Sequence, residues 1–292
     1  MLTSTLLISI CSVMFLLWWH TRLKQAERFS TMVLRDHVAE TIYGESGPRL
    51  RSPAHSTQPQ NVHAALRGMW LFADLDERQI ALLAQHASRE HVNRGDRIVR
   101  QGEIDGGDLF CVLDGYFKVT THGARSRELL INILEHNESF GEIGCLDYEK
   151  GRSASVTALT DGELLRISGS DMNMILNDTP KVALAMLTAQ SRLVRTLTER
   201  AEDNAFLDVR TRLAKRLIAL ADKLGEDVGP DEVELKVALT QEELGGMSEA
   251  TRTSVGECLN EWARQRVIQR IDDRLVIVDR ERLRHVAAAG AV

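Results

Sequence analysis

Two short runs hold the residues best able to do chemistry: Phe140-Gly141-Glu142-Ile143-Gly144 and, a little further on, Gly151-Arg152-Ser153-Ala154. Together they gather a carboxylate, a guanidinium, a hydroxyl and several approachable backbone N–H groups. The Glu142 carboxylate can accept a hydrogen bond from a sugar hydroxyl, and Arg152 can meet a phosphate through its planar fork. Gly141 lets the backbone approach a guest with no Cβ in the way. That set suits a ribose joined to an anionic phosphodiester. The plainer alternative is a surface ion pair between Glu142 and Arg152, which leaves the glycines and Ser153 without a purpose.

The elements around these runs must hold them in register. From Val92 to Ile167 short apolar runs alternate with turn signals at Gly95-Asp96, Gly106-Gly107, Asp114-Gly115 and Asp161-Gly162. This pattern predicts an antiparallel β-roll, able to enclose one small ligand between its sheets. Upstream, Asp76 and Gln79 form a capping-box pattern, with Leu75 placed to staple to Ile80 and with Ile80, Leu82 and Leu83 as the apolar face. After Pro180 a long helix runs to about Asn204. Ala183, Met186, Gln190, Leu193, Leu197 and Ala201 recur along it at the spacing of a two-stranded seam, flanked by Arg192, Arg195 and Arg200. Packing of this helix on its own roll is the other reading.

Thr240 and Glu243 form a second capping box, heading a short helix that turns near Met247-Ser248-Glu249. A following helix starts with Thr251 as N-cap, placing Val255, Leu259 and Trp262 inward and Arg252, Thr253 and Gly256 outward. A helix, a turn and a helix with polar residues at its start can present side chains to a DNA major groove. RVIQRIDDRLVIVD then supplies the hairpin of a winged helix. Arg210, Arg212, Arg264 and Arg266 are candidate phosphate contacts.

The run SFGEIGCLDYEKGRSASVTAL is similar to the phosphate-binding cassette of cyclic-nucleotide-binding domains. Asn204-Ala205-Phe206-Leu207-Asp208-Val209 and LTQEEL…TRTSVGECL resemble the hinge and helix-turn-helix of the bacterial Crp/Fnr regulators, most closely the cyclic AMP receptor branch. The resemblance runs from about Val62 to Val278. It implies an α+β chain whose segments are the roll (63–180), a dimerisation helix and hinge (181–208) and a winged helix-turn-helix (209–292). It implies cyclic AMP, or cyclic GMP, as allosteric ligand, held by Gly141, Glu142, Ile143, Gly144, Arg152, Ser153 and Thr198. It also implies a double-stranded DNA operator read through Gln241, Thr251, Arg252, Thr253, Ser254 and Glu257, with Gln241 on a phosphate and Arg252 on guanine. A second copy of the chain and RNA polymerase are the protein partners implied.

Three departures from that branch matter. Glu249 stands where a turn glycine is usual, and Glu257 where a second arginine reads DNA; a carboxylate there suits cytosine N4. Leu197 and Thr198 stand where a Thr-Ser pair meets the adenine, so a single hydroxyl remains.

A net charge of -6 argues against a protein that coats nucleic acid non-specifically. The four cysteines are scattered with no C-x-x-C pair, against a disulfide framework, a zinc site or a clustered-cysteine iron–sulfur site. No H-E-x-x-H or G-x-S-x-G spacing supports catalysis. Met1 to Trp19 carries no charged side chain and is followed by Arg22, Lys24 and Arg28. At ~1.5 Å per residue it spans roughly 28 Å, enough for a membrane helix with its bulk inside. The segment reads as such an anchor (1–21), as a cleaved segment, or as sequence ahead of a later start, with 22–62 as linker. An anchored nucleotide sensor that does not bind DNA is the corresponding alternative function.

Overall fold

The computed structural model describes residues 59–73, 75–123 and 128–289. The expected anchor lies outside them; among the described residues no helix is long and apolar enough to cross a membrane. Helix α1 (Pro59–Gly68) begins inside the expected linker. In α2 (Glu77–His86) the capping box forms as expected, each of Asp76 and Gln79 accepting the other's backbone N–H at 2.9 Å. Ile80 and Leu83 are buried, but Leu82 faces out. Positions three apart share a helix face and positions two apart do not.

Strand β1 (Ala87–Val92) follows at once, earlier than the sequence pattern placed the start of the roll. Its mixed composition reflects its place at a sheet edge. Strands β2 (Arg97–Val99), β3 (Leu109–Asp114), β4 (Phe117–His122), β5 (Glu128–Leu134) and β6 (Ser139–Phe140) lead to helix α3 (Glu142–Leu146), then β7 (Ser155–Ala158) and β8 (Gly162–Ile167). They make two antiparallel sheets, ordered β1-β8-β3-β6 and β2-β7-β4-β5. Phe110, Val112, Phe117, Phe140 and Leu164 fill the space between the sheets, with Phe110 stacked on Phe140 at 5.0 Å. The opposite pleats of the first sheet, Leu109, Cys111, Leu165 and Ile167, pack on α1, α2, α4 (Gly169–Asp178) and α5 (Pro180–Phe206).

Helix α5 corrects the sequence reading. Met186 is buried in the core of its own roll, and Gln190 and Leu193 line a cavity there. The apolar row left open lies one step round the helix: Leu184, Leu187 and Val194 are 63%, 57% and 60% exposed, with Ser191 and Thr198 in the same row. Two rows on this helix carry apolar residues, and only the tertiary fold decides which one the sheet takes.

The C-terminal unit consists of α6 (Val209–Leu224), β9 (Gly225–Asp227), β10 (Val233–Leu235), α7 (Gln241–Ser248), α8 (Arg252–Arg264), β11 (Ile268–Ile271), β12 (Arg274–Ile277) and α9 (Arg280–Ala288). Its small sheet has the order β11-β12-β10-β9. Asp208 caps α6 by accepting from Thr211 N–H at 2.7 Å, and Thr240 and Glu243 close the box on α7. Val255, Leu259 and Trp262 are buried as expected. Gly256 is buried too, not outward; a Cβ there would lie 3.3 Å from Gln241 Oε1.

This unit docks on the roll. Leu130 and Ile133 of β5 belong to the same apolar cluster as Leu213, Leu217, Leu244 and Trp262. Lys118 pairs with Glu243 at 2.8 Å, and Lys223 with Glu138 at 2.7 Å, across the same seam. Burial works against the Glu243 carboxylate, but Lys118 and Thr240 outweigh it and hold its carboxyl below the ordinary range.

Candidate functional site

Gly141 takes a φ of 92° to turn the chain from β6 into α3, which sets Glu142 at the start of that helix. A Cβ on Gly141 would stand 2.4 Å from the Asp108 carbonyl oxygen, and one on Gly144 2.6 Å from Arg152 Nη1. These glycines therefore make room for the arginine and its supporting backbone, a demand that precedes any guest. Arg152 is buried. Its Nε donates to both Asp105 carboxylate oxygens at 2.7 and 2.9 Å, and its Nη1 donates to the carbonyls of Asp108 at 2.9 Å and Gly141 at 3.2 Å.

Glu142 does not pair with Arg152; its Oε1 accepts from Gln190 Nε2 at 2.8 Å. The surface ion-pair alternative is thereby set aside. What remains is informative: Glu142 Oε2 and Arg152 Nη2 are both buried and have no hydrogen-bond partner among the described residues. Leaving such atoms unpaired costs about 1–3 kcal/mol each, more when charged. Both residues line one cavity of ≈ 600 Å³, a size ordinary for a small-molecule site. A hydroxyl can donate to the first atom and an anionic oxygen can accept from the second. Val99, Phe140 and Val156 give the cavity apolar lining, and Leu193, Thr196, Leu197 and Arg200 of α5 line it too.

Of the expected ligand residues, Gly141, Glu142, Ile143, Gly144, Arg152 and Ser153 come together on this cavity, and Thr198 does not. The Thr198 hydroxyl donates to the Val194 carbonyl at 3.0 Å, on the open face of α5. Sequence reasoning missed Asp105, which orients Arg152, and took Gln190 for a seam residue. Gly106-Gly107 was legible as a turn, and a carboxylate at its edge was the available signal.

At the reader, Arg252, Thr253 and Glu257 are exposed at the start of α8. Thr251 accepts from Ser254 N–H at 3.1 Å and its hydroxyl meets Ser254 Oγ at 2.9 Å, so these two hydroxyls close the first turn. Gln241 lies over Gly256 beside them. Arg212 is not a phosphate contact. It is buried, and donates to the carbonyls of Ser248 at 2.9 Å, Leu207 at 2.6 Å and Glu249 at 3.3 Å, clamping the turn. Arg210 is engaged by Glu261 at 2.7 Å and lies 5.7 Å from the Trp262 ring centroid, while Arg264 and Arg266 are exposed. Glu249 adopts a left-handed conformation, φ 48° and ψ 45°, at the turn where a glycine was the expected occupant.

A roll with a cavity lined by a buried guanidinium and a carboxylate, followed by a winged helix-turn-helix, is the architecture of a transcription regulator. A cyclic nucleotide-binding domain matches residues 89–179, and a Crp-like helix-turn-helix domain matches residues 211–286. The chain belongs to the Crp/Fnr family, as a cyclic-nucleotide-binding transcription regulator with a helix-turn-helix DNA-binding domain. It is similar to the CRP-like cAMP-activated global transcriptional regulator of Mycobacterium tuberculosis, with 27% identity over 213 residues, 73% of this chain and 94% of that one. It is 26% identical over 180 residues to the cAMP-activated global transcriptional regulator CRP of Salmonella typhimurium, 62% of this chain and 84% of that one. The solved c-di-GMP responsive global regulator CLP of Xanthomonas campestris shares the fold at a TM-score of 0.61 and 22% identity, covering 69% and 99% of the two chains.

Proposed function

We propose that the chain is a homodimeric, cytoplasmic regulator that binds 3′,5′-cyclic AMP and in response grips a two-fold operator. The observation that carries this is the pair of buried, partnerless atoms on one cavity, Glu142 Oε2 and Arg152 Nη2. The ribose 2′-hydroxyl donates to the first, and a phosphate oxygen accepts from the second. Gly141, Ile143, Gly144 and Ser153 shape the cradle around them. Cyclic AMP is favoured because both curated relatives named above are cAMP-activated.

Dimerisation uses the open row Leu184, Leu187 and Val194, apolar surface that a lone chain leaves in water. Thr198 shares that row, so its hydroxyl serves the partner's nucleotide in preference to its own. In the reader Gln241 binds a phosphate, Arg252 reads guanine, and Glu257 accepts from cytosine N4. Thr251 and Ser254 fix the helix start, with Thr253 beside the bases and RNA polymerase as the downstream partner. Gating requires that the guest bind one state better than another, and Gln190 on α5, bonded to Glu142, gives it a lever on that helix.

A cyclic GMP-responsive regulator is the second reading, favoured by Leu197 lining the cavity where the cyclic AMP branch has a hydroxyl. Calorimetry with cyclic AMP, cyclic GMP and c-di-GMP, followed by a gel shift on operator DNA with and without the binder, decides. Heat with cyclic AMP and a nucleotide-dependent shift are expected. Absence of heat with all of them removes the reading.

A further inference from the structure

A third buried polar atom without a partner belongs to another residue lining the same cavity: Nε of Arg200. The sequence places Arg200 among the charges flanking a helix seam, yet the side chain turns inward. Its Nη1 donates to the Ile131 carbonyl of β5 at 2.5 Å, which fixes the guanidinium plane before any guest arrives. No carboxylate pairs with it among the described residues. Burial, and then the neighbouring Arg216, push its pKa below the ordinary arginine value. Arg200 is therefore a desolvated, oriented donor with an unmet demand for an acceptor.

The other two partnerless atoms on this cavity are already assigned to the ribose and the phosphate. The remaining part of a cyclic nucleotide is its base, and the α5 lining of Leu193, Thr196, Leu197 and Arg200 offers that base apolar contact with one strong donor. We infer that Arg200 is the base-reading residue, its Nε–H donating to a ring nitrogen of the purine. This rests on the cyclic-nucleotide reading and names how the base is held. Adenine and guanine both carry such nitrogens, at N3 and N7, so this one donor does not by itself tell cyclic AMP from cyclic GMP. A pre-aimed donor adds affinity at low ordering cost, because Ile131 has already immobilised it.

The test is calorimetry of the full chain with cyclic AMP and its 1-, 3- and 7-deaza analogues, each of which replaces one ring nitrogen by C–H. One analogue is expected to bind about tenfold or more weaker than cyclic AMP, the loss of one hydrogen bond from a charged donor. In Arg200→Met that penalty should vanish while cyclic AMP itself binds more weakly. Equal binding of all three analogues by the unmodified chain overturns the assignment, and so does a penalty that persists in Arg200→Met. The unmodified chain alone suffices if the variant does not fold. Absence of heat with any nucleotide overturns the underlying reading and this assignment together; equal heat with all overturns this one only.

Discussion

Arg152 holds the cradle together through Nε and Nη1, and on the proposed reading its partnerless Nη2 meets the phosphate. Deleting the guanidinium removes a donor from the Asp108 carbonyl, while the exposed Asp105 carboxylate keeps the Gly107 N–H and the Gly141 carbonyl keeps the Cys145 N–H, so Arg152→Leu should cost about 1–3 kcal/mol of stability, read by thermal melting. Arg152→Lys keeps the charge but loses the fork; it should fold and bind cyclic AMP about tenfold to a hundredfold more weakly in calorimetry. Glu249 carries a left-handed backbone without being glycine, so Glu249→Gly should raise stability by on the order of 1 kcal/mol, provided the turn geometry is unchanged in a melt. Cys111 and Cys145 are pushed up to about 12 by burial, so neither thiol should react with an alkylating reagent near neutral pH. At this scale the sequence was readable where chemistry sits in one run, as with Glu142 and Arg152. It was silent where the partner comes from a distant turn, as Asp105 does, and where burial reassigns a charge, as with Arg200 and Arg212.

Among elements, those specified by local bonds were legible in advance. The capping boxes at Asp76 and Thr240 need only four consecutive residues, and both formed. Strand β1 was not legible, because an edge strand with polar neighbours lacks a clean alternation. Nor was the outward row of α5, since its two apolar rows differ only in which one meets the sheet. On the proposed dimer, Val194→Glu should convert a dimer into a monomer in sedimentation and weaken nucleotide binding by no more than the one contact the partner's Thr198 supplies. The Lys118–Glu243 pair ties α7 to β4. Glu243 titrates below its ordinary 4.5, so the stability it contributes is present above 4.5 and is lost as pH falls through its lower folded value. Burial opposes the Lys118 charge but Glu243 and Glu128 outweigh it, so the lysine's share is present below 10.5 and is lost as pH rises past its raised folded value. Melting temperature should therefore fall in acid, and less steeply in Glu243→Gln.

For the whole molecule, the seam makes roll and reader one cooperative body. Leu130 and Ile133 leave their own sheet's interior to complete the reader's core. Scanning calorimetry should show a single transition for the described body, and Leu130→Ser should split it in two, since a polar group there weakens the shared cluster. The domain order was legible from motifs; this seam was not, because β5 reads as an ordinary roll strand until the fold shows what covers it. The uncovered row on α5 carries a consequence of its own. On the proposed reading, in which this row pairs two copies, the paired form grows with the square of abundance while copies are scarce, and gene dosage would then limit how many promoters respond.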